Sequence, residues 1–168
     1  MIRICLHGAE STGKSVLSQK LGYPWVPEYG RAYCEEIGTD LTMDDLLAIA
    51  EGQDRAMRLA AAASPPVLLL DTDPLMTAAW ARMLFGHVPQ VLMDYPKADH
   101  YLLFEPDVPW VADGTRFFGT PADRARFAEL AEHMLLRAGV PFDRISGDWD
   151  QRERQTRDAI NRLLTRKM

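Results

Sequence analysis

The sequence predicts an α/β fold built on a parallel sheet, and three observations carry that prediction. Short apolar runs alternate along the chain with longer stretches of helical periodicity. One run, Val67-Leu68-Leu69-Leu70, is continuous rather than alternating, as expected of a central strand covered on both faces. A glycine-bearing turn from Gly8 to Ser15 joins the first apolar run directly to the first helical stretch. The 168 residues are enough for one core and one domain, taken here as 1–168, without room for a second catalytic domain of ordinary size.

Ile2 to His7 reads as the first strand and Lys14 to Leu21 as the helix after it. Trp25-Val26-Pro27-Glu28 is either a short second strand or an extended connection, because Pro27 cannot donate to a ladder. Thr42 followed by Asp45 resembles a capping box with Asp in the usual Glu/Gln position, opening a helix to about Ala63 that Pro65-Pro66 stops. Val67 to Asp71 is the buried strand, and a helix from about Leu75 to Phe85 ends at Gly86. His100 to Phe104 is another strand. Thr120-Pro121, an N-cap and first helical residue, opens a helix to Gly139. Phe142 to Ile145 is the last strand, and Asp150 to Lys167 the last helix. The connection from Glu105 to Thr120 has 16 residues, long enough to expect a functional lid.

The chain is 47% hydrophobic and 26% charged, which is ordinary for a globular domain. Its 19 Lys+Arg and 24 Asp+Glu leave a net charge of −5, unsuited to duplex nucleic acid, which needs a wide basic face. The charge is uneven. Residues 1–112 hold 8 basic and 15 acidic side chains, whereas residues 113–168 hold 11 and 9. Cys5 and Cys34 make neither a disulfide framework nor a close metal pair and are expected in the core of a protein from a reducing compartment. No apolar run is long enough for a membrane span, and the first residues do not resemble a signal peptide, so the cytoplasm is the expected location. A homo-oligomer is compatible with the sequence, which does not specify one.

Gly8-Ala9-Glu10-Ser11-Thr12-Gly13-Lys14-Ser15 matches G-x-x-x-x-G-K-[ST], the P-loop, in its expected place between strand and helix. Glycines let the backbone wrap so that N–H groups converge on a phosphate at the helix N-terminus. Gly8, Ala9, Glu10, Ser11, Thr12, Gly13, Lys14, Ser15 and Val16 thus form the candidate nucleotide-binding set, with Lys14 reaching the β- and γ-phosphates and Ser15 holding Mg²⁺. Asp71, at a strand end, is placed to orient the metal, usually through water. Asp73 also projects at the strand end, where ligands bind in parallel α/β sheets, and can cap the helix before Leu75; the two roles do not exclude each other.

Glu28 can accept a substrate hydroxyl and serve as base, with Arg31 fixing a neighbouring group; alternatively Glu28 caps a following helix and Arg31 is solvated. Arg116, Arg124 and Arg126 are candidates to match charge on a migrating phosphoryl group, although Asp123 or Glu129 could pair with two of them. Trp110, flanked by Pro109 in the lid, either stacks on a planar ring or anchors the loop, while Trp80 reads as core. Trp149, after Gly147-Asp148, falls where many P-loop kinases close over adenine. The four histidines are scattered and none is assigned to a metal.

In combination these blocks resemble the nicotinamide riboside kinase domain of the NadR family. The resemblance rests on the P-loop, Val26-Pro27-Glu28-Tyr29-Gly30-Arg31, Asp71-Thr72-Asp73-Pro74, Asp107-Val108-Pro109-Trp110 with Asp113-Gly114-Thr115-Arg116, and Ser146-Gly147-Asp148-Trp149. It implies a P-loop NTPase three-layer sandwich with five parallel strands and an Arg-bearing lid. It further implies ATP and Mg²⁺ as cofactors and a free-standing kinase without the adenylyltransferase and DNA-binding parts that often accompany this domain. The implied reaction converts ATP and nicotinamide riboside to ADP and nicotinamide mononucleotide. Its implied catalytic set is Lys14, Glu28, Asp73, Arg116 and Arg124, with Glu28, Tyr29, Arg31, Asp73, Trp110 and Asp113 around the riboside. Which of Glu28 and Asp73 is the base stays open, as does whether Trp110 or Tyr29 meets the nicotinamide ring. The rival readings are a kinase for another nucleoside or small metabolite, and a nucleotide-dependent binding switch.

Overall fold

A computed structural model describes residues 1–112, 114 and 116–167. The elements run β1 (Ile2–Gly8), α1 (Lys14–Lys20), β2 (Trp25–Val26), α2 (Tyr29–Ile37), α3 (Met43–Ala61), β3 (Val67–Asp71) and α4 (Pro74–Phe85). They continue with α5 (Gln90–Asp94), β4 (His100–Phe104), α6 (Pro121–Ala138), β5 (Phe142–Ile145) and α7 (Trp149–Lys167). The strands form one parallel sheet in the order β2-β3-β1-β4-β5, with Leu6 opposite Asp71 on one side of β1 and Gly8 opposite Phe104 on the other.

Alternate side chains of the strands pack to opposite faces. Ile2, Ile4, Leu6, Val67, Leu69, Leu102 and Phe104 meet Leu17 of α1 and Ile160 of α7. Cys5, Leu68, Leu70, Tyr101 and Leu103 face the other layer, which includes Met57 of α3, Leu75 of α4 and Leu135 of α6. This is the expected three-layer sandwich. Covering both faces of β3 explains its unbroken apolar run. No helix among the described residues is long and apolar enough to cross a membrane.

Local signals set most boundaries. Thr42 Oγ1 accepts from Asp45 N while the Asp45 carboxylate accepts from Thr42 N, so the capping box forms with Asp at its third position. Thr120 caps α6 through Asp123 N, and Gly86 and Gly139 end α4 and α6 with positive φ. The uncertain second strand is real but stops at Val26, before Pro27. Two helices were not individually resolved by periodicity. α2 follows Glu28 as one of its readings required, and α5 has only five residues, too few to display a helical repeat.

Two buried polar residues brace the layers. His7 is fully buried, and its Nε2–H donates to Ala131 O at 2.9 Å, linking β1 to α6. Burial lowers its pKa from 6.5 to about 3, chiefly by desolvation of the imidazolium, with the Lys14 charge acting in the same sense. Arg152, in the first turn of α7, is 1% exposed. Its guanidinium donates to the carbonyls of Gly147, Thr12 and Glu105 at 2.8, 3.2 and 2.9 Å and to the Asp107 carboxylate. It therefore holds α7, the loop after β1 and the loop after β4 in one arrangement.

Because the unfolded chain binds the His7 proton near pH 6.5 and the folded chain does so only near pH 3, this residue favours folding above that window and opposes it as the pH falls through it. His7→Gln keeps a donor for Ala131 O. Urea unfolding at several pH values is expected to show the wild type losing about 1.4 kcal/mol per pH unit relative to the variant between pH 6 and 4. Arg152→Met leaves four acceptors without their donor and is expected to cost about 3 kcal/mol, read as a lower urea midpoint at unchanged m-value.

Candidate active site

The loop after β1 is the centre of the site. Gly8 has φ +121, and a Cβ there would lie 2.5 Å from Phe104 O, so the strand can enter the loop beside β4 only without a side chain. Gly13 has φ +88 and lies under the Trp149 ring, where a Cβ would meet that ring at 2.6 Å. Ser11, at the apex, also takes a left-handed conformation, with φ 56. The backbone then enters α1 at Lys14. Lys14 is 8% exposed, and its ammonium donates to Gly8 O and Ala9 O at 3.0 and 2.7 Å. Burial lowers its pKa, while the carboxylates of Asp71, Glu28 and Glu10 act the other way.

Ser15 Oγ donates to Asp71 Oδ2 at 2.5 Å. The other oxygen, Asp71 Oδ1, is buried without a hydrogen-bond partner among the described residues. Burial pushes the Asp71 carboxyl up, against the Ser15 hydrogen bond and the Lys14 charge. A hydroxyl and an unsatisfied carboxylate oxygen, both hard oxygen donors at the mouth of a phosphate-type loop, fit Mg²⁺.

Two adjoining cavities open at this end of the sheet. The first encloses about 480 Å³ and is walled by Gly8, Glu10 to Val16, Arg116 and Phe127 together with residues it shares with the second. The second encloses about 560 Å³ and is bounded by Cys34, Leu46, Ile49, Gln53, Thr77 and Phe117 among others. Glu10, Glu28, Arg31, Thr72, Met76 and Trp80 belong to both walls. Thr72, a β-branched residue at φ 72, carries backbone strain on the shared wall.

Of the residues singled out from the sequence, the P-loop, Glu28, Arg31 and Arg116 are thus brought together. Glu28 occupies the N-cap position of α2 without a side-chain capping bond and borders both cavities. Glu10 is pushed up to about 8, mainly by burial and further by Glu28, with the amide of Phe117 and the charges of Lys14 and Arg116 opposing.

Other candidates lie elsewhere. Asp73 is 1% exposed and outside both walls; its Oδ1 caps α4 at Leu75 N, 3.0 Å, and its Oδ2 accepts from Tyr101 Oη at 2.5 Å. The capping reading therefore holds for Asp73, whose carboxyl burial raises to about 6. Tyr29 packs its ring against Gly52, where a Cβ would come within 2.3 Å. Trp110 lies against Gly119 and under the Arg124 guanidinium, 6.0 Å from the ring centroid, as a loop anchor rather than a cavity wall.

Arg124 is 9% exposed and donates to Val108 O, Ser11 O and Glu10 O, so it pins the lid to the loop instead of facing the cavities. Trp149 covers Gly13 outside both walls. Asp113 lies outside the described residues. Cys34, expected in the core, borders the second cavity.

Sequence reasoning missed several participants. Trp80 packs against the core as expected, and it also lines both cavities and meets Phe117 edge-on at 4.6 Å and 86°. Phe117 itself was passed over. Gln53 accepts from Tyr29 N at 2.7 Å and so holds the start of α2. A signal for it existed, since Leu46, Ile49, Ala50 and Met57 mark a buried stripe on which Gln53 is a polar interruption.

A family model described as an AAA domain matches residues 3–152. The trifunctional NAD biosynthesis/regulator protein NadR of Escherichia coli (strain K12) is 34% identical over 175 aligned positions, covering 96% of this chain and 42% of that protein. The NadR of Salmonella typhimurium is 33% identical with the same coverage. The chain therefore spans less than half the length of these relatives. Among solved structures, NadR protein in complex with NR superposes with a TM-score of 0.73 at 21% identity, covering 96% of this chain and 51% of that one. Deoxyadenosine kinase from M. mycoides with products dCMP and a flexible dCDP bound gives a TM-score of 0.65 at 16% identity, covering 95% and 99%. With the model matching most of its length and the P-loop formed between β1 and α1, the chain belongs to this family of P-loop AAA domains.

Proposed function

We propose that the chain is an ATP-dependent kinase that transfers the γ-phosphoryl group to the 5′-hydroxyl of nicotinamide riboside, giving nicotinamide mononucleotide for NAD biosynthesis. The observation that carries this reading is the shared wall. A phosphate-binding loop borders one cavity, a mainly apolar cavity adjoins it, and Glu28 and Arg31 stand where the two meet. The extent of the similarity to NadR and the superposition on its complex with NR support the choice of acceptor.

The residues around the acceptor cavity agree with a cationic, planar ring. Trp80 and Phe117 offer aromatic surface, and the wall carries two carboxyl groups, Glu10 and Glu28, beside Arg31. In this reading the loop amides and Lys14 hold the β- and γ-phosphates of ATP, and Ser15 with Asp71 holds Mg²⁺. Mg²⁺, when bound, neutralises phosphate oxygens and lowers the cost of charge built up in transfer. Glu28 orients the 5′-hydroxyl and receives its proton. It is favoured over Asp73 because it borders both cavities, whereas Asp73 lies outside their walls and caps α4. As the hydroxyl oxygen bonds to the γ-phosphorus, the bridging bond to ADP breaks, and Arg116 on the phosphate-cavity wall offsets charge on the moving group.

A kinase assay across nicotinamide riboside, deoxynucleosides and nucleoside monophosphates tests the acceptor, with nicotinamide riboside expected to give the highest kcat/KM; equal use of the others would overturn it. Lys14→Ala is expected to lower kcat by about 10³-fold or more. For Arg116→Ala the loss is expected mainly in kcat, with ATP binding measured by calorimetry nearly unchanged.

A further inference from the structure

The lid is sewn to the phosphate-binding loop by several bonds. Val111 N donates to Ser11 Oγ at 2.8 Å, Arg116 donates to Ser11 Oγ at 3.5 Å, and Arg124 donates to the carbonyls of Ser11 and Glu10. One further tie differs in kind. Phe117 N donates to Glu10 Oε2 at 2.6 Å, and Glu10 borders both cavities. The residue whose amide it holds also presents its ring to the acceptor cavity, against Trp80. A single carboxylate therefore touches the phosphate loop, the lid and the acceptor space.

We propose that Glu10 is a specificity and positioning residue, whose ionised carboxylate latches the lid through Phe117 N when a cationic acceptor occupies the adjoining cavity. This inference rests on the kinase reading above. The groups facing Glu10 are Lys14 of α1, Glu28 ahead of α2, Arg31 of α2, Arg116 of the lid and Arg124 of α6. Lys14 and Arg116 lie on the phosphate side, where a triphosphate answers their charge. On the acceptor side, once Glu10 is ionised, two carboxylates stand against Arg31. A pyridinium ring supplies the missing positive charge there, and a neutral ring does not.

The ionised carboxylate makes the stronger bond to the lid amide, because a charge-assisted hydrogen bond is roughly twice as strong as a neutral one. Burial raises the Glu10 pKa to about 8, so the group holds its proton at pH 7 until a cation arrives. Binding of the cation then releases that proton to solvent. The charge of the acceptor and the strength of the Glu10–Phe117 tie are thereby coupled.

The test compares nicotinamide riboside with its reduced dihydropyridine form, which has nearly the same shape and no charge, in the wild type, Glu10→Gln and Glu10→Asp. The wild type is expected to prefer the cation, and Glu10→Gln to lower that preference in kcat/KM by about ten-fold, mostly through the acceptor KM. Glu10→Asp, which keeps the charge, is expected to retain more of it than Glu10→Gln. Calorimetry at pH 7 in buffers of different ionisation enthalpy is expected to show proton release on binding the cationic riboside to the wild type, and none with the reduced riboside or with Glu10→Gln. If the wild type phosphorylates nicotinamide riboside but Glu10→Gln shows the same cation preference and the same proton release, the role of Glu10 is overturned and the kinase reading stands. A wild type that phosphorylates neither riboside overturns both.

Discussion

The hydrogen bond from Ser15 Oγ to Asp71 Oδ2 joins the first turn of α1 to the end of β3 across the central strand. Much of the site follows from that junction. It places a hydroxyl and a carboxylate side by side beneath the P-loop, and Asp71 Oδ1 stays buried without a hydrogen-bond partner among the described residues. The parallel sheet makes the junction possible, because adjacent strands end at the same edge and deliver their following loops to one place.

Around this centre, three arginines differ in role. Arg152 is enclosed by backbone carbonyls and Asp107 and fixes the loops from behind. Arg124 stitches the lid to the apex of the phosphate loop. Arg116 reaches the phosphate cavity itself. Desolvation lowers the pKa of both Arg124 and Arg152, an opposing cost that their multiple acceptors offset. The surplus of basic residues in the last third of the chain is thus only partly a matter of meeting phosphate. Much of it holds the frame that positions the rest.

Strain and burial concentrate on the same edge. Ser11 and Thr72 take left-handed backbone conformations, Gly8 and Gly13 are hemmed by Phe104 and Trp149, and Glu10, Lys14 and Asp71 are all held with their ionised forms disfavoured by burial. Folding alone does not reward that set of features. Their cost is offset by the large apolar faces on either side of the sheet, where Leu68, Leu69 and Leu70 are completely buried.

Elements with strong local signals were legible in the sequence. The P-loop, the unbroken apolar strand, the Thr42 and Thr120 caps and the terminal glycines Gly86 and Gly139 each depend on residues close together in the chain, so the local pattern determines them. Glu28, Arg31 and Arg116 could be nominated as functional because their chemistry is scarce and their positions follow strands or lie in the lid. Which side chains share a wall depends on how helices dock, and that is a property of long-range packing. Asp73 and Glu28 both follow strands as acids, yet helix α4 turned the first inward to Leu75 and Tyr101 while α2 left the second at the cavities. Trp80 reaches the cavities while Trp110 anchors the lid for the same reason. Local sequence determined the phosphate loop and the sheet; only tertiary packing decided which aromatic rings and carboxylates face the acceptor, because that choice is made by contacts between residues far apart in the chain.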